Sequence, residues 1–93
     1  MPPSSKRYVR HRPVRAERMD DALFLIDEEG KAIHMLDGAS PGLWQLLEQP
    51  ISVAEAKTVL KTAFPHVPPK RIARDVESLF DDLLAAGLIA DVR

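Results

Sequence analysis

The sequence predicts an α+β domain of winged-helix-like order, a three-stranded antiparallel sheet followed by three helices. Three observations carry that prediction. Upstream of Asp37 the apolar residues fall in short runs of strand length, and downstream of Ser40 they recur at helical spacing. A turn pair, Asp37-Gly38, and a helix-start pair, Ser40-Pro41, separate the two regimes. The stretch Ile33 to Leu47 therefore changes period in its middle. It also holds the single Trp, Trp44, so sheet and helices are expected to meet there.

Residues 1–13 read as a disordered or extended basic arm, and residues 14–93 as one domain. Met1 to Arg7 has two Pro, two Ser and no apolar periodicity, which reads as disorder. Pro13 would break a central strand, so a first short strand is expected only after it, over about Val14–Arg18. Met19-Asp20-Asp21 reads as a turn. The continuous apolar run Ala22-Leu23-Phe24-Leu25-Ile26 is too short for a buried helix and reads as the second strand. Asp27-Glu28-Glu29 reads as a solvated turn, with Gly30 supplying the positive φ of a hairpin. Ala32 to Leu36 then returns, with Ile33 and Met35 on one face and Ala32, His34 and Leu36 on the other.

The first helix is expected from Pro41 to Glu48, capped by Ser40 and stopped by Pro50. The second has the strongest start signal, Ser52 with Glu55 as a capping box, and an apolar stripe of Val53, Ala56, Val59, Leu60, Ala63 and Phe64 that Pro65 ends. The third starts at Pro69 or Lys70. Ile72, Val76, Leu79, Phe80, Leu83 and Leu84 fall at offsets of 0, 4, 7, 8, 11 and 12, one helical face, and Gly87 follows as the residue that ends it. Leu88, Ile89 and Val92 form an apolar tail expected to fold back on the core.

Ninety-three residues make one small domain, able to bury only about 60–65% of its unfolded surface. The chain has no Cys, so disulfides, thiolate metal sites and Cys nucleophiles are excluded. No apolar run approaches the roughly 18–20 residues that span a bilayer, and no apolar segment follows the basic N-terminal residues as in a secretory signal. A soluble cytoplasmic protein with no membrane partner is the expectation. The net charge of −1 hides an asymmetry, because residues 1–18 carry six Lys or Arg against the single Glu17. That end reads as a solvated basic tail or, more sharply, as an arm for an acidic partner.

The residues do not assemble an enzyme. His11, His34 and His66 lie in separate segments without metal-ligand spacing, and there is no phosphate-binding loop or dinucleotide fingerprint. Asp81-Asp82 point about 100° apart on a helix and read as a solvated face. No catalytic residue, metal site or cofactor is expected.

Two binding functions remain. Lys70, Arg71 and Arg74 open the third helix with a basic start suited to phosphates, which raises a winged-helix DNA-binding protein. Asp75, Glu77, Asp81 and Asp82 follow on the same helix and suit a polyanion badly, so nucleic acid is the weaker reading. The stronger one starts from the sheet. In a meander the strand Ala32–Leu36 lies at an edge, where an extended peptide can pair as an added strand beside the third helix. The basic helix start would then serve acidic residues of the guest.

The order of these segments resembles the PqqD-like family, the precursor-peptide recognition domains of ribosomal natural-product pathways. The resemblance runs from about Val14 to Val92. Its carriers are the hairpin Leu23-Phe24-Leu25-Ile26 to Ala32-Ile33-His34-Met35-Leu36, the segment Asp37 to Leu47, Ser52-Val53-Ala54-Glu55-Ala56, and the closing run Arg74 to Ile89. The resemblance implies a non-catalytic peptide chaperone. Such a domain holds the leader of a precursor peptide against its third strand and presents it to a modifying enzyme, a radical-SAM protein in the namesake pathway. Carried over by position, the guest would lie along Ile33, His34, Met35 and Leu36, with Lys70, Arg71, Arg74, Asp75 and Ser78 as the helix-side contacts. The chain departs from the pyrroloquinoline quinone members between the first two helices. It reads Leu47-Glu48-Gln49-Pro50-Ile51-Ser52 where they carry a Cys-Asp-Gly type turn, and its Trp44 fits better with relatives from other peptide pathways. A second copy of the chain could also pair at the open edge as a homodimer.

Overall fold

A computed structural model describes residues 6–92. The elements are β1 (Arg7–Arg10), β2 (Arg15–Met19), β3 (Ala22–Asp27), β4 (Ala32–Leu36), α1 (Ser40–Leu46), β5 (Ile51–Ser52), α2 (Val53–Ala63), α3 (Pro69–Ala85) and β6 (Ile89–Val92). The class is α+β, with three helices and two three-stranded antiparallel sheets.

The expected meander is the second sheet, in the order β2-β3-β4. Its register sets Leu23 opposite Leu36, Phe24 opposite Met35 and Ile26 opposite Ile33. Alternation therefore sends Leu23, Leu25 and Leu36 into the core, while Ile33 and Met35 stay on the outer face, 68% and 58% exposed. Two residues at its turns take positive φ, Asp20 and Lys31. Gly30 is not one of them. It is required for a different reason: a Cβ there would collide with the Asp27 carboxylate, whose Oδ1 accepts the Gly30 amide at 2.9 Å. Asp27 itself is buried, 3% exposed, and is not a turn residue in water as its neighbours Glu28 and Glu29 are.

The other sheet, ordered β5-β1-β6, was not foreseen. The expectation of disorder for Met1 to Arg7 falls largely outside the described residues, but Arg7 opens β1, which pairs with β5 on one side and β6 on the other. Leu88 and Ile89 of the apolar tail fold back on the core as expected, leading into β6, but Val92 is 41% exposed. β1 reaches further: its Arg10 amide donates to the Leu47 carbonyl, the following His11 amide donates to Leu88, and Tyr8 stands edge-on to Phe80 of α3 at 5.4 Å.

The helices follow the sequence closely at most ends. Ser52 Oγ accepts the Glu55 amide and Glu55 Oε1 accepts the Ser52 amide, a complete capping box. At the end of α3, Gly87 has φ +73°, its amide donates to Leu84 and the Leu88 amide donates to Leu83, which together satisfy two orphan carbonyls. α1 starts one residue early: Ala39 is its cap, Ser40 is the first helical residue, and the Ser40 hydroxyl caps nothing. α1 also ends at Leu46 rather than Glu48, and Leu47 to Gln49 continue as turns.

The core lies where the inner face of the meander meets the helices. Leu25, Leu43, Leu47, Ile72, Leu83 and Leu88 are its largest fully buried side chains, and Trp44 packs with them. The α3 stripe is buried as expected except Leu84, which is 38% exposed. The α2 stripe is narrower than expected. Ala56 and Leu60 are buried, Val53 and Phe64 pack at the margin, Val59 is 43% exposed and Ala63 lies in solvent. A short helix at the periphery needs only one line of contacts.

Candidate functional site

The N-terminal arginines build the frame of the site rather than a solvated tail. Arg7 donates from Nε and Nη2 to the two carboxylate oxygens of Glu55, at 3.1 and 2.7 Å, and so joins β1 to the capping box of α2. Arg10 donates twice to the Trp44 carbonyl, at 3.1 and 2.6 Å, and its guanidinium lies 4.3 Å from the Trp44 ring centre. Arg12 donates to both oxygens of Asp27, at 2.5 and 2.9 Å, and to the Ala86 carbonyl at the end of α3, at 3.0 Å. The Arg12 guanidinium and the Gly30 amide hold the Asp27 carboxyl at about 2, well below the usual range. Arg7 and the Ser52 amide do the same for Glu55, also to about 2. Lys6 pairs with Asp91, and Arg15 with Glu17 and Glu28. Five of the six cations among residues 1–18 thus have acceptors within this domain, which leaves little of that charge open to a polyanion.

This frame leaves β4 at the edge of its sheet, with α3 beside it. Between them opens a cleft of about 300 Å³ lined by Met35, Leu36, Asp37, Gly38, Ser40, Arg71, Asp75, Ser78, Leu79 and Asp82. The strand contributes one wall and the turn into α1 the floor. The helix contributes residues at i, i+4, i+7, i+8 and i+11, one face of α3. A larger recess of about 460 Å³ lies under Arg10, His11, Arg12 and Trp44, but its two guanidinium groups are turned to the acceptors just described.

Of the nine residues singled out from sequence, five line the cleft: Met35, Leu36, Arg71, Asp75 and Ser78. Ile33 is on β4 but points out from the sheet. His34 is half-buried on the inner face, and its Nε2 is buried without a hydrogen-bond partner. Lys70 and Arg74 are exposed and line no part of the cleft; Lys70 lies two turns before Glu77, which pairs with Lys57 of α2. Asp37, Ser40 and Asp82 were missed. Asp82 was legible, because it follows Arg71, Asp75 and Ser78 on one helical face. Asp37 and Ser40 were not, because only the folding of the turn onto α3 brings them there.

Arg71 faces Asp75 one turn on, at 3.9 Å, with both side chains at least half exposed. Against this one cation stand the carboxylates of Asp37, Asp75 and Asp82. The basic wall expected from Lys70, Arg71 and Arg74 is therefore an acidic one. Among the described residues no three His, Asp or Glu side chains converge as a metal set, and no helix is long and apolar enough to cross a membrane.

The end of β4 and one face of α3 thus stand on two sides of one open cleft, and an extended chain can in general pair at an open strand edge. A family model for Coenzyme PQQ synthesis protein D (PqqD) matches residues 22–89, which include β3, β4 and all three helices. The chain belongs to the PqqD family. Members of the PqqD family are accessory proteins that bind a precursor peptide rather than catalysts. No curated protein and no solved structure matches the chain significantly. The PqqD match begins at Ala22, so β1 and β2 lie outside it, while the cleft lies entirely within it.

Proposed function

We propose that this PqqD-family chain is a cytoplasmic peptide chaperone that takes the leader of a ribosomally made precursor as a fourth strand along β4. The observation that carries this reading is the open edge of β4 facing α3 across the cleft. Alternate residues of an edge strand have unpaired amide and carbonyl groups, and a guest backbone satisfies them without regard to its side chains. The two walls then read the guest's alternate side chains. The chaperone performs no chemistry. It fixes the leader so that the remainder of the precursor reaches a modifying enzyme, a radical-SAM protein in our reading, and the same edge can pair two copies of the chain when no guest is present. The DNA reading has less support, because the cleft face of α3 carries Asp75 and Asp82 beside Arg71 and the arm's arginines are bonded internally.

Amide chemical-shift mapping tests the proposal. The full chain is titrated with synthetic leaders of short peptides encoded near its gene. Shifts concentrated on Ala32–Leu36 and Arg71–Asp82 are the expected result. Saturable binding whose shifts fall elsewhere, or no binding by any leader, overturns it.

A further inference from the structure

The cleft and the sheet face ask opposite things of a guest strand. On the outer face, Ile33 and Met35 are 68% and 58% exposed, and they pair across β3 with Ile26 and Phe24, which are half-buried. A strand added to β4 places every second side chain beside Ile33 and Met35 on that face. The intervening side chains turn inward, and at the C-terminal end of β4 they enter the cleft. There they meet Asp37, Asp75 and Asp82, with Arg71 already drawn to Asp75. We infer that the guest is a peptide with apolar side chains on its outward positions and Lys or Arg on the inward positions that pass the C-terminal end of β4. The inference rests on the strand-addition reading and adds the sign of the guest's charge.

The reasoning is one of complementarity. An apolar guest side chain beside Ile33 or Met35 covers surface that water now meets. A carboxylate in the cleft would face three others, whereas a cation there is offered acceptors from the floor and from the helix wall. Neither Lys70 nor Arg74 lines the cleft to reverse that balance. Because the cleft is open to solvent, the preference is moderate and sensitive to salt.

Three end-blocked peptides with one extended centre, Thr-Val-Thr-Val-Thr, test it, flanked at both ends by Lys-Lys, Gln-Gln or Glu-Glu so that strand direction does not matter. Each is titrated at millimolar concentration into the full chain, and the amides of Ala32–Leu36 and Arg71–Asp82 are followed. The Lys-flanked peptide is expected to bind about tenfold tighter than the Glu-flanked one at low salt, with the gap closing as salt is raised. The double variant Asp75→Asn, Asp82→Asn should abolish the gap between the Lys-flanked and Glu-flanked peptides. Equal or tighter binding of the Glu-flanked peptide at β4 overturns the charge assignment and leaves strand addition standing. If none of the three moves the β4 amides, strand addition itself is overturned.

Discussion

Arg12 holds Asp27 through two parallel hydrogen bonds, of 2.5 and 2.9 Å, and the same guanidinium reaches the Ala86 carbonyl at the end of α3. One side chain thus ties three parts of the chain together: the connector after β1, the end of β3 and the end of α3. The carboxylate it holds also accepts the amide of Gly30, so the hairpin that presents β4 is set by the same contact. The hairpin that carries β4 is thus held by an ion pair at the end away from the cleft, since Asp27 pairs with Ala32 whereas the cleft meets β4 at Met35 and Leu36.

This gives a pH dependence of known sign. Asp27 and Glu55 both have folded-state values of about 2, against 3.8 and 4.5 for the free side chains. The unfolded chain therefore binds more protons in that range, and stability rises with pH. Their contribution is complete above the ordinary carboxylate values and is lost as pH falls towards 2. Urea midpoints at successive pH values should decline over this window, and Arg7→Gln and Arg12→Gln should each flatten the decline. A midpoint independent of pH there would sink this account.

Gly30 and Gly38 should respond differently to Ala. Gly38 has φ +61° and nothing near it, so Gly38→Ala pays only the left-handed backbone strain, about 1 kcal/mol. Gly30→Ala sets a methyl against the Asp27 carboxylate and must displace it from Arg12 or from the turn. Chemical denaturation should rank Gly30→Ala as the more damaging. The reverse order would mean that the hairpin tolerates a shifted Asp27.

The two apolar stripes differ in how far they are buried, and truncation reads that difference. Leu83 is fully buried among the helices, so Leu83→Ala should destabilise by about 2–5 kcal/mol. Val59 has the same standing by sequence periodicity but is 43% exposed, so Val59→Ala should stay within about 0.5 kcal/mol. Thermal or denaturant unfolding checks both. A costly Val59→Ala would show that something packs on that face of α2.

Proline scanning separates the two sides of β4. Adjacent residues of an edge strand direct their amides to opposite sides, one to β3 and the next to the open edge. Ile33→Pro and His34→Pro should therefore split. One should lose folding cooperativity, and the other should fold while losing leader binding. If the folded variant binds a leader with the affinity of the parent chain, the edge is not where the peptide pairs.

Leader affinity should also depend on the outer face. Ile33→Thr and Met35→Thr keep side chains suited to a strand and remove exposed apolar surface, so stability should change by less than about 0.5 kcal/mol. Binding of a cognate leader should weaken several-fold, as isothermal titration would record. Unchanged affinity would confine recognition to the backbone and the cleft.

The sequence by itself determined whatever depends on neighbours within a turn or a hairpin. The β2-β3-β4 meander, the Ser52–Glu55 box, the stop at Gly87 and most of the α3 stripe were all legible, because their signals are local periods and caps. So was the edge position of β4, the last strand of a three-stranded meander. Only the tertiary structure decided the rest. β1 and β6 pair Arg7 with Val92 and Arg10 with Ile89, and strands of four residues joined across nearly the whole chain leave no periodicity to read. Asp27 looked like a turn residue because nothing near it in sequence announces the guanidinium of Arg12. The sign of the cleft was hidden for the same reason. Lys70, Arg71 and Arg74 are close along the chain, but successive residues on a helix diverge by about 100°, and only Arg71 reaches the cleft. There it meets Asp37, which the turn into α1 carries in from another element, and the charge of a surface made by two elements belongs to their packing.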